Sequence, residues 1–147
     1  MREFVRCIEE LPEDLWLRKI INWTPRDVVA HLIGWNVYVR EGCDLLRAGK
    51  TPAYLHDREH DYRHVNAASV ERYAALDRRT LLGELETSFR DLEHYLVKLD
   101  PTAWDADTGV HLGGRPVTIR NSIRAFARDY KNHRQRIEQW QAAVRER

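Results

Sequence analysis

Residues 23–36 carry the stretch W-T-P-R-D-V-V-A-H-L-I-G-W-N, which combines a helix start with a polar interruption of an apolar face. Thr24 can cap free backbone N–H groups, Pro25 suits the first helical position, and Asp27 stands where a capping-box carboxylate belongs. The apolar residues that follow recur at helical spacing: Val28, Leu32, Trp35 and Val39. His31 lies on that face, one turn before Trp35. The stretch therefore predicts a helix that directs a histidine into a core.

Helices are also predicted on both sides of this stretch. A short helix is expected at 1–11, and the helix that begins at Pro25 should continue to about residue 48, where Gly49 can end it. Gly34 and Gly42 within it would allow a neighbouring helix to come close. Segment 50–61 is expected to be a surface connection, and a weakly amphipathic helix is expected at 62–76.

The second half of the chain holds the two clearest apolar stripes. Asp77 is the expected cap of a helix that begins near Arg78 and stops at the Asp100-Pro101 pair. Residues 102–117 contain glycines and a proline, which are compatible with a hairpin or an ordered loop. The last helix should run from about residue 118 to 144. Its stripe alternates steps of four and three: Ile119, Ile123, Phe126, Tyr130, His133, Ile137, Trp140 and Val144.

Three long striped helices and a shorter first one predict an all-α, antiparallel four-helix bundle. The helix at 62–76 would be an extra short helix in the connection between the second and third bundle helices. A chain of 147 residues is long enough to bury one core, so a single domain over 1–147 is expected.

Composition and charge exclude several classes of partner. The formal net charge of +1 gives no reason to propose nucleic acid, and no apolar run is long enough to span a membrane. Cys7 and Cys43 are far apart and show no metal or redox spacing, so reduced thiols in a cytoplasmic protein are expected. A small molecule is the expected partner, and homodimerisation through helix faces is compatible with the pattern.

A candidate metal site emerges where polar side chains interrupt the two best stripes. His31 lies on the second helix, while Asp129 and His133 stand one turn apart on the last. Two imidazoles and a carboxylate can bind a divalent metal and leave positions open for water or substrate. The alternative is a hydrogen-bonded polar group that only stabilises a polar position within the core. Trp35 and Tyr130 flank this site and could line a substrate pocket.

Other titratable groups are weaker candidates. His56, His60 and His64 repeat every four residues beside Asp57 and Asp61, but so charged a stretch is more typical of a solvated face. His94 and His111 show no partner pattern. Four arginines are expected on the outer side of the last helix: Arg120, Arg124, Arg128 and Arg134.

The two end motifs resemble a known superfamily. The stretch at 23–36 resembles the second-helix motif of the DinB-like four-helix bundles, which include thiol-dependent transferases and isomerases. Residues 129–137, D-Y-K-N-H-R-Q-R-I, resemble the last-helix motif. Between them, G-K-T-P-A-Y at 49–54 and V-N-A-A at 65–68 resemble the ClbS/DfsB branch of the superfamily.

The resemblance implies ligands, a cofactor and several functions. In metal-binding members a histidine of the second helix and two residues four apart on the last hold the ion, which here implies His31, Asp129 and His133. Histidine is usual where Asp129 stands, although the mycothiol-dependent maleylpyruvate isomerase branch similarly places a carboxylate there. The implied ion is zinc or nickel, with iron as a third candidate. The implied activity is transfer of an external low-molecular-weight thiol to a small electrophile, in detoxification or stress.

Two other functions are compatible with the same residues. The ClbS-like branch commonly lacks the metal ligands, and its likeness implies a metal-free hydrolase or sequestering protein that confers resistance to a reactive compound. Alternatively, the chain is a non-catalytic bundle in which the polar triad only sets helix register.

Overall fold

The computed structural model of the protein describes residues 1–55 and 62–146, and six α-helices lie within them. Short 3-10 turns stand at Ala53–Leu55 and Pro101–Trp104. The helices are α1 (Arg2–Glu9), α2 (Glu13–Trp16), α3 (Pro25–Arg47), α4 (Arg63–Arg72), α5 (Arg78–Val97) and α6 (Ile119–Arg145). Two short strands of two residues each, β1 (His111–Leu112) and β2 (Arg115–Pro116), pair as an antiparallel hairpin.

Side-chain caps begin the three long helices at the predicted residues. The Thr24 hydroxyl accepts from the Asp27 N–H at 3.2 Å, and the Thr24 N–H donates to the Asp27 carboxylate at 2.9 Å. This reciprocal capping box satisfies two free donors of α3. Asp77 caps α5, and Thr118 caps α6. The predicted start of α3 is therefore confirmed in detail.

The apolar stripes of α1, α3, α5 and α6 form one shared core, and the predicted all-α bundle is confirmed. Its fully buried side chains include Ile8, Leu32, Leu85 and Ile137. The short helix α2 adds both Leu15 and Trp16 to the same core. Two buried polar side chains, His31 and Asn36, interrupt the α3 contribution.

The direction of the bundle helices needs one correction, because α5 runs parallel to α3. Asn36 donates to Ser88 at 2.8 Å, and further along both helices Tyr95 donates to Asp44 at 2.7 Å. The connection between the helices is long and carries α4, so the chain returns to its starting end before α5 begins. Long crossovers of this kind allow parallel neighbours, whereas short loops give antiparallel ones.

Helix α6 runs antiparallel to α3, as predicted. His31, near the start of α3, faces Asp129 in the middle of α6. At the other end, Gly49 lies beside Thr108, in the segment that precedes α6. The candidate ligands of the two helices can therefore meet across one interface.

The extra helix of the connection is present but shorter than predicted. Helix α4 ends at Arg72, and Ser69 is its one buried residue. Ser69 packs against Gly34 of α3, where an added Cβ would overlap the Ser69 hydroxyl and lie 2.7 Å from its Cβ. Tyr54 occupies a similar position over Gly42. The two glycines thus permit close approach, as the sequence predicted.

Two further findings concern the segment before α6 and whether any helix could span a membrane. Residues 102–117, for which the sequence left a hairpin or a loop open, contain the small β1–β2 hairpin. None of the helices in the described part of the chain combines the length and apolar character that crossing a membrane requires.

Gly34→Ala should destabilise the fold because its new methyl group must displace Ser69 and with it α4. Overpacking of this kind costs about 1–3 kcal/mol. Gly83→Ala is the matched control, since nothing lies within 4 Å of a Cβ added at this α5 position. Replacing glycine by alanine within a helix should stabilise by about 0.5–1 kcal/mol. Urea unfolding measures both changes, and equal midpoints for the two variants would contradict the close contact.

Candidate metal centre

Two imidazoles and one carboxylate converge between α3 and α6. His31 Nε2 lies 3.1 Å from Asp129 Oδ2, and His133 Nε2 lies 3.4 Å from Asp129 Oδ1. One ligand atom from each residue lies within 4.8 Å of the other two. No second cluster of this kind is found among residues 1–55 and 62–146. The helices therefore bring together the three residues that the sequence selected.

The spacing and chemistry of this donor set fit a divalent transition metal. Ligands at 2.0–2.1 Å in a tetrahedral site stand about 3.3 Å apart, and each histidine Nε2 lies near that distance from one of the two Asp129 oxygens. Nitrogen and oxygen donors of this kind suit zinc, nickel and iron, and three protein ligands leave positions open.

The electrostatics of the cluster favour the protonation states that a metal requires. Burial lowers the pKa of His133 to about 4, although the nearby Asp129 charge opposes that shift. Burial also works against ionisation of Asp129, but the His31 hydrogen bond and the histidine charges outweigh it and lower the pKa of Asp129. Near pH 7, His133 is thus neutral and Asp129 is ionised, as metal ligands must be.

Side chains around the cluster contact its two histidines. His31 Nδ1 lies 3.0 Å from Oδ1 of Asn66 on α4, and the Trp35 indole N–H donates to the same oxygen at 2.8 Å. Trp23 lies on the other side of the cluster, stacked on His133 with 9° between the ring planes. The His31 ring is also in contact with Trp23, at 4.9 Å between centroids.

The cluster stands in the wall of a cavity of about 930 Å³. This volume is within the range of small-molecule sites. The apolar wall includes Trp23, Trp35 and Phe126. Two cationic side chains, Arg115 of β2 and Arg136 of α6, also line the cavity, and neither forms an ion pair with a described carboxylate.

The two predicted pocket residues have different positions. Trp35 lines the cavity, but Tyr130 is not among its lining residues. Tyr130 is buried between Phe4, Phe89 and Phe126. Its hydroxyl donates to the Asn36 side-chain oxygen at 3.1 Å. The expectation that Tyr130 lines the pocket is therefore wrong, because its ring fills the core between helices.

Only some of the weaker histidine candidates lie among the described residues. His64 is exposed on α4, while His56, His60, Asp57 and Asp61 lie outside the described residues. His111 does have a partner that the sequence interpretation missed, since its Nε2 lies 3.3 Å from Asp107.

The four arginines of the last helix differ in their exposure and partners. Arg124 and Arg128 are exposed, whereas Arg120 pairs with Asp105 and Arg134 with Glu3.

Both cysteines are free and buried. Burial raises the pKa of Cys7 to about 11 and that of Cys43 to about 12. Neither lines the cavity, so neither is placed to supply a reactive thiolate.

Sequence reasoning did not assign Asn66, Trp23 or the arginines to the site. Asn66 belongs to the V-N-A-A motif, and no periodicity links α4 to the triad. Trp23 precedes the helix cap, where an aromatic residue has no expected direction. Arg115 belongs to the segment for which no structure could be chosen.

Fold and site together define a DinB-like four-helix bundle with a candidate metal centre. The chain belongs to the family described as the mycothiol maleylpyruvate isomerase N-terminal domain, whose model matches residues 1–138. Searches of curated proteins and of solved structures gave no significant match.

Tyr130→Phe should lower stability without altering the cavity. The substitution leaves the buried Asn36 oxygen without its donor, which costs about 1–3 kcal/mol. Tyr95→Phe is the control, because the Tyr95 hydroxyl bonds Asp44 in an exposed position and its loss should cost much less. Urea unfolding gives the difference. Equal free energies of unfolding for the two variants would contradict the core role of Tyr130.

Proposed function

We propose that the protein binds one divalent metal ion through His31, Asp129 and His133 and transfers a low-molecular-weight thiol to a small electrophile. The observation that carries the proposal is the convergence of these donors within 4.8 Å of one another in the wall of a large cavity. The thiol part of the proposal rests on the family, whose description names mycothiol.

Zinc or nickel is the proposed ion, with iron as a third candidate. When bound, such an ion supplies Lewis acidity that lowers the pKa of a thiol or water, or polarises an electrophile. Asp129 would add a negative charge to the ligand set where other superfamily members have histidine. His31 and His133 hold this carboxylate from two sides.

The cavity supplies binding and orientation. Trp23 covers His133, and Trp35 flanks His31, so an apolar part of a substrate can pack beside the ligands. The thiol must come from solution, because Cys7 and Cys43 are buried away from the cavity and their pKa values are raised. The reaction then needs no redox partner. The external thiol loses its proton, its sulfur forms a bond to carbon, and either a leaving group departs or the neighbouring carbon takes up a proton.

Arg115 and Arg136 suggest that the electrophile carries negative charge. They line the same cavity as the ligands, and neither forms an ion pair with a described carboxylate, although the Arg136 charge interacts electrostatically with Asp129. A guanidinium binds a carboxylate through two parallel hydrogen bonds. We therefore propose a small electrophile bearing a carboxylate as the substrate class.

The competing functions make different demands on the triad. A metal-free hydrolase or sequestering protein would need the cavity but not the metal ligands. A non-catalytic bundle would need the triad for packing alone. The cytoplasmic location, the homodimer and the single domain stay predictions, which neither the fold nor the family tests.

The metal proposal predicts one zinc ion per chain after dialysis against zinc. Asp129→Asn and His133→Phe should each lower zinc affinity at least about tenfold, because each removes one of three ligands while keeping a side chain of similar shape. His111→Ala is the control, since His111 pairs with Asp107 and is not a lining residue of the cavity. Elemental analysis and competition with a chelator provide the readouts.

Adventitious zinc on the charged stretch at 56–64 needs a second control. His60→Ala removes the middle histidine of that stretch and leaves the three triad residues unchanged. If wild-type protein takes up no zinc, or if only His60→Ala loses it, the proposed metal centre is wrong. Activity that survives in the Asp129→Asn, His133→Phe double variant would instead favour the metal-free function.

The substrate proposal predicts that an anionic probe binds near the two cavity tryptophans. Maleate should quench tryptophan fluorescence, and Arg136→Gln should weaken its binding about tenfold or more through loss of a charged hydrogen bond. Arg128→Gln is the matched control on the same helix, because Arg128 is exposed like Arg136 but does not line the cavity. Equal binding of maleate and its uncharged dimethyl ester would contradict anion recognition.

A further inference from the structure

One side-chain oxygen on α4 faces two nitrogen atoms at the edge of the metal centre. Asn66 Oδ1 lies 3.0 Å from His31 Nδ1 and 2.8 Å from Trp35 Nε1. His31 and Trp35 stand one helical turn apart on α3, so Asn66 bridges them from the neighbouring helix.

Trp35 determines which atom of the Asn66 amide occupies this position. An indole nitrogen can only donate a hydrogen bond, so the atom that it faces must be the amide oxygen and not the amide nitrogen. That oxygen cannot donate to His31. Nδ1 of His31 must therefore carry a hydrogen and donate it to Asn66.

The other imidazole nitrogen of His31 is then left for the metal. Nε2 faces Asp129 Oδ2 at 3.1 Å. In metal-free protein a hydrogen on Nε2 satisfies this contact by donating to the carboxylate. A divalent ion can take the place of that hydrogen, and the hydrogen bond at Nδ1 makes Nε2 the ligand atom.

We propose that Asn66 is a positioning residue which, with Trp35, holds His31 in the tautomer and orientation that present Nε2 to a metal ion. This inference rests on the metal binding proposed above. It extends the site to a third helix, α4, which contains none of the three metal ligands.

A close contact one turn away keeps Asn66 in reach of His31. Ser69 stands three residues after Asn66, and Gly34 stands three residues after His31. Ser69 packs where a Gly34 side chain would be. The missing side chain at position 34 thus brings α4 close enough for the Asn66 amide to reach the imidazole.

The test compares zinc affinities measured by chelator competition. Asn66→Leu keeps the branched shape of the side chain and removes the acceptor, so affinity should fall 10- to 100-fold, the loss typical when a partner of a metal-bound histidine is removed. Asn66→Asp keeps an acceptor for both nitrogens and should retain wild-type affinity or exceed it. Asn121→Leu is the control at another cavity position without a contact to His31, and should change affinity less than threefold.

A second readout does not depend on metal. In proton–nitrogen spectra of metal-free protein, the His31 Nδ1–H should be visible and protected from exchange with solvent. Asn66→Leu should remove that protection, whereas Asn66→Asp and Asn121→Leu should keep it. Thermal unfolding of each variant establishes that the protein is folded.

The outcomes separate this inference from the proposed function. Zinc absent from wild-type protein would refute the metal centre, while the Nδ1–H spectrum still tests the contact with Asn66. If wild type binds zinc and Asn66→Leu binds it equally well, the positioning role is wrong. Equal losses in Asn66→Leu and Asn66→Asp would also overturn it, because a retained acceptor would then have had no effect.

Discussion

The site depends on one electrostatic constraint, a carboxylate held between two imidazoles from different helices. Asp129 lies within 3.1 Å of His31 and 3.4 Å of His133, at an interface that is otherwise largely apolar. Polar groups in such a position cost folding free energy unless they are paired. Each member of the cluster therefore needs the others. The reciprocal cap at Thr24 and the close approach of α4 at Gly34 place His31 where this pairing is met.

Much of this arrangement could be predicted from helical periodicity alone. The cap residues of α3 and α5 lie where the sequence placed them, and the stripe of α6 put His133 inside the core with Asp129 at its edge. Asp129 is indeed the most exposed of the three, with 39% of its side chain accessible against 6% for His31. Local spacing sufficed here because both halves of the site lie on long regular helices. The family match over residues 1–138 agrees with the predicted DinB-like bundle.

The remaining features depend on contacts between segments distant in sequence. Periodicity cannot indicate whether α5 runs parallel or antiparallel to α3, since the answer depends on the path of the connection. It placed Tyr130 on the buried stripe of α6 but could not show that its hydroxyl faces Asn36 rather than the cavity. Asn66 shows the same limit. The weakly amphipathic pattern of α4 gave no reason to connect its amide with a histidine on α3. The hydrogen bond from Trp35 defines which atom of that amide faces His31.

The most direct test is a crystal structure of zinc-loaded protein with anomalous diffraction measured on both sides of the zinc absorption edge. We expect one strong anomalous peak bounded by His31 Nε2, His133 Nε2 and the Asp129 carboxylate, with Asn66 still in contact with His31 Nδ1. A peak confined to another part of the chain, or no peak at this cluster in fully loaded protein, would show that the triad is a packing motif and not a metal centre.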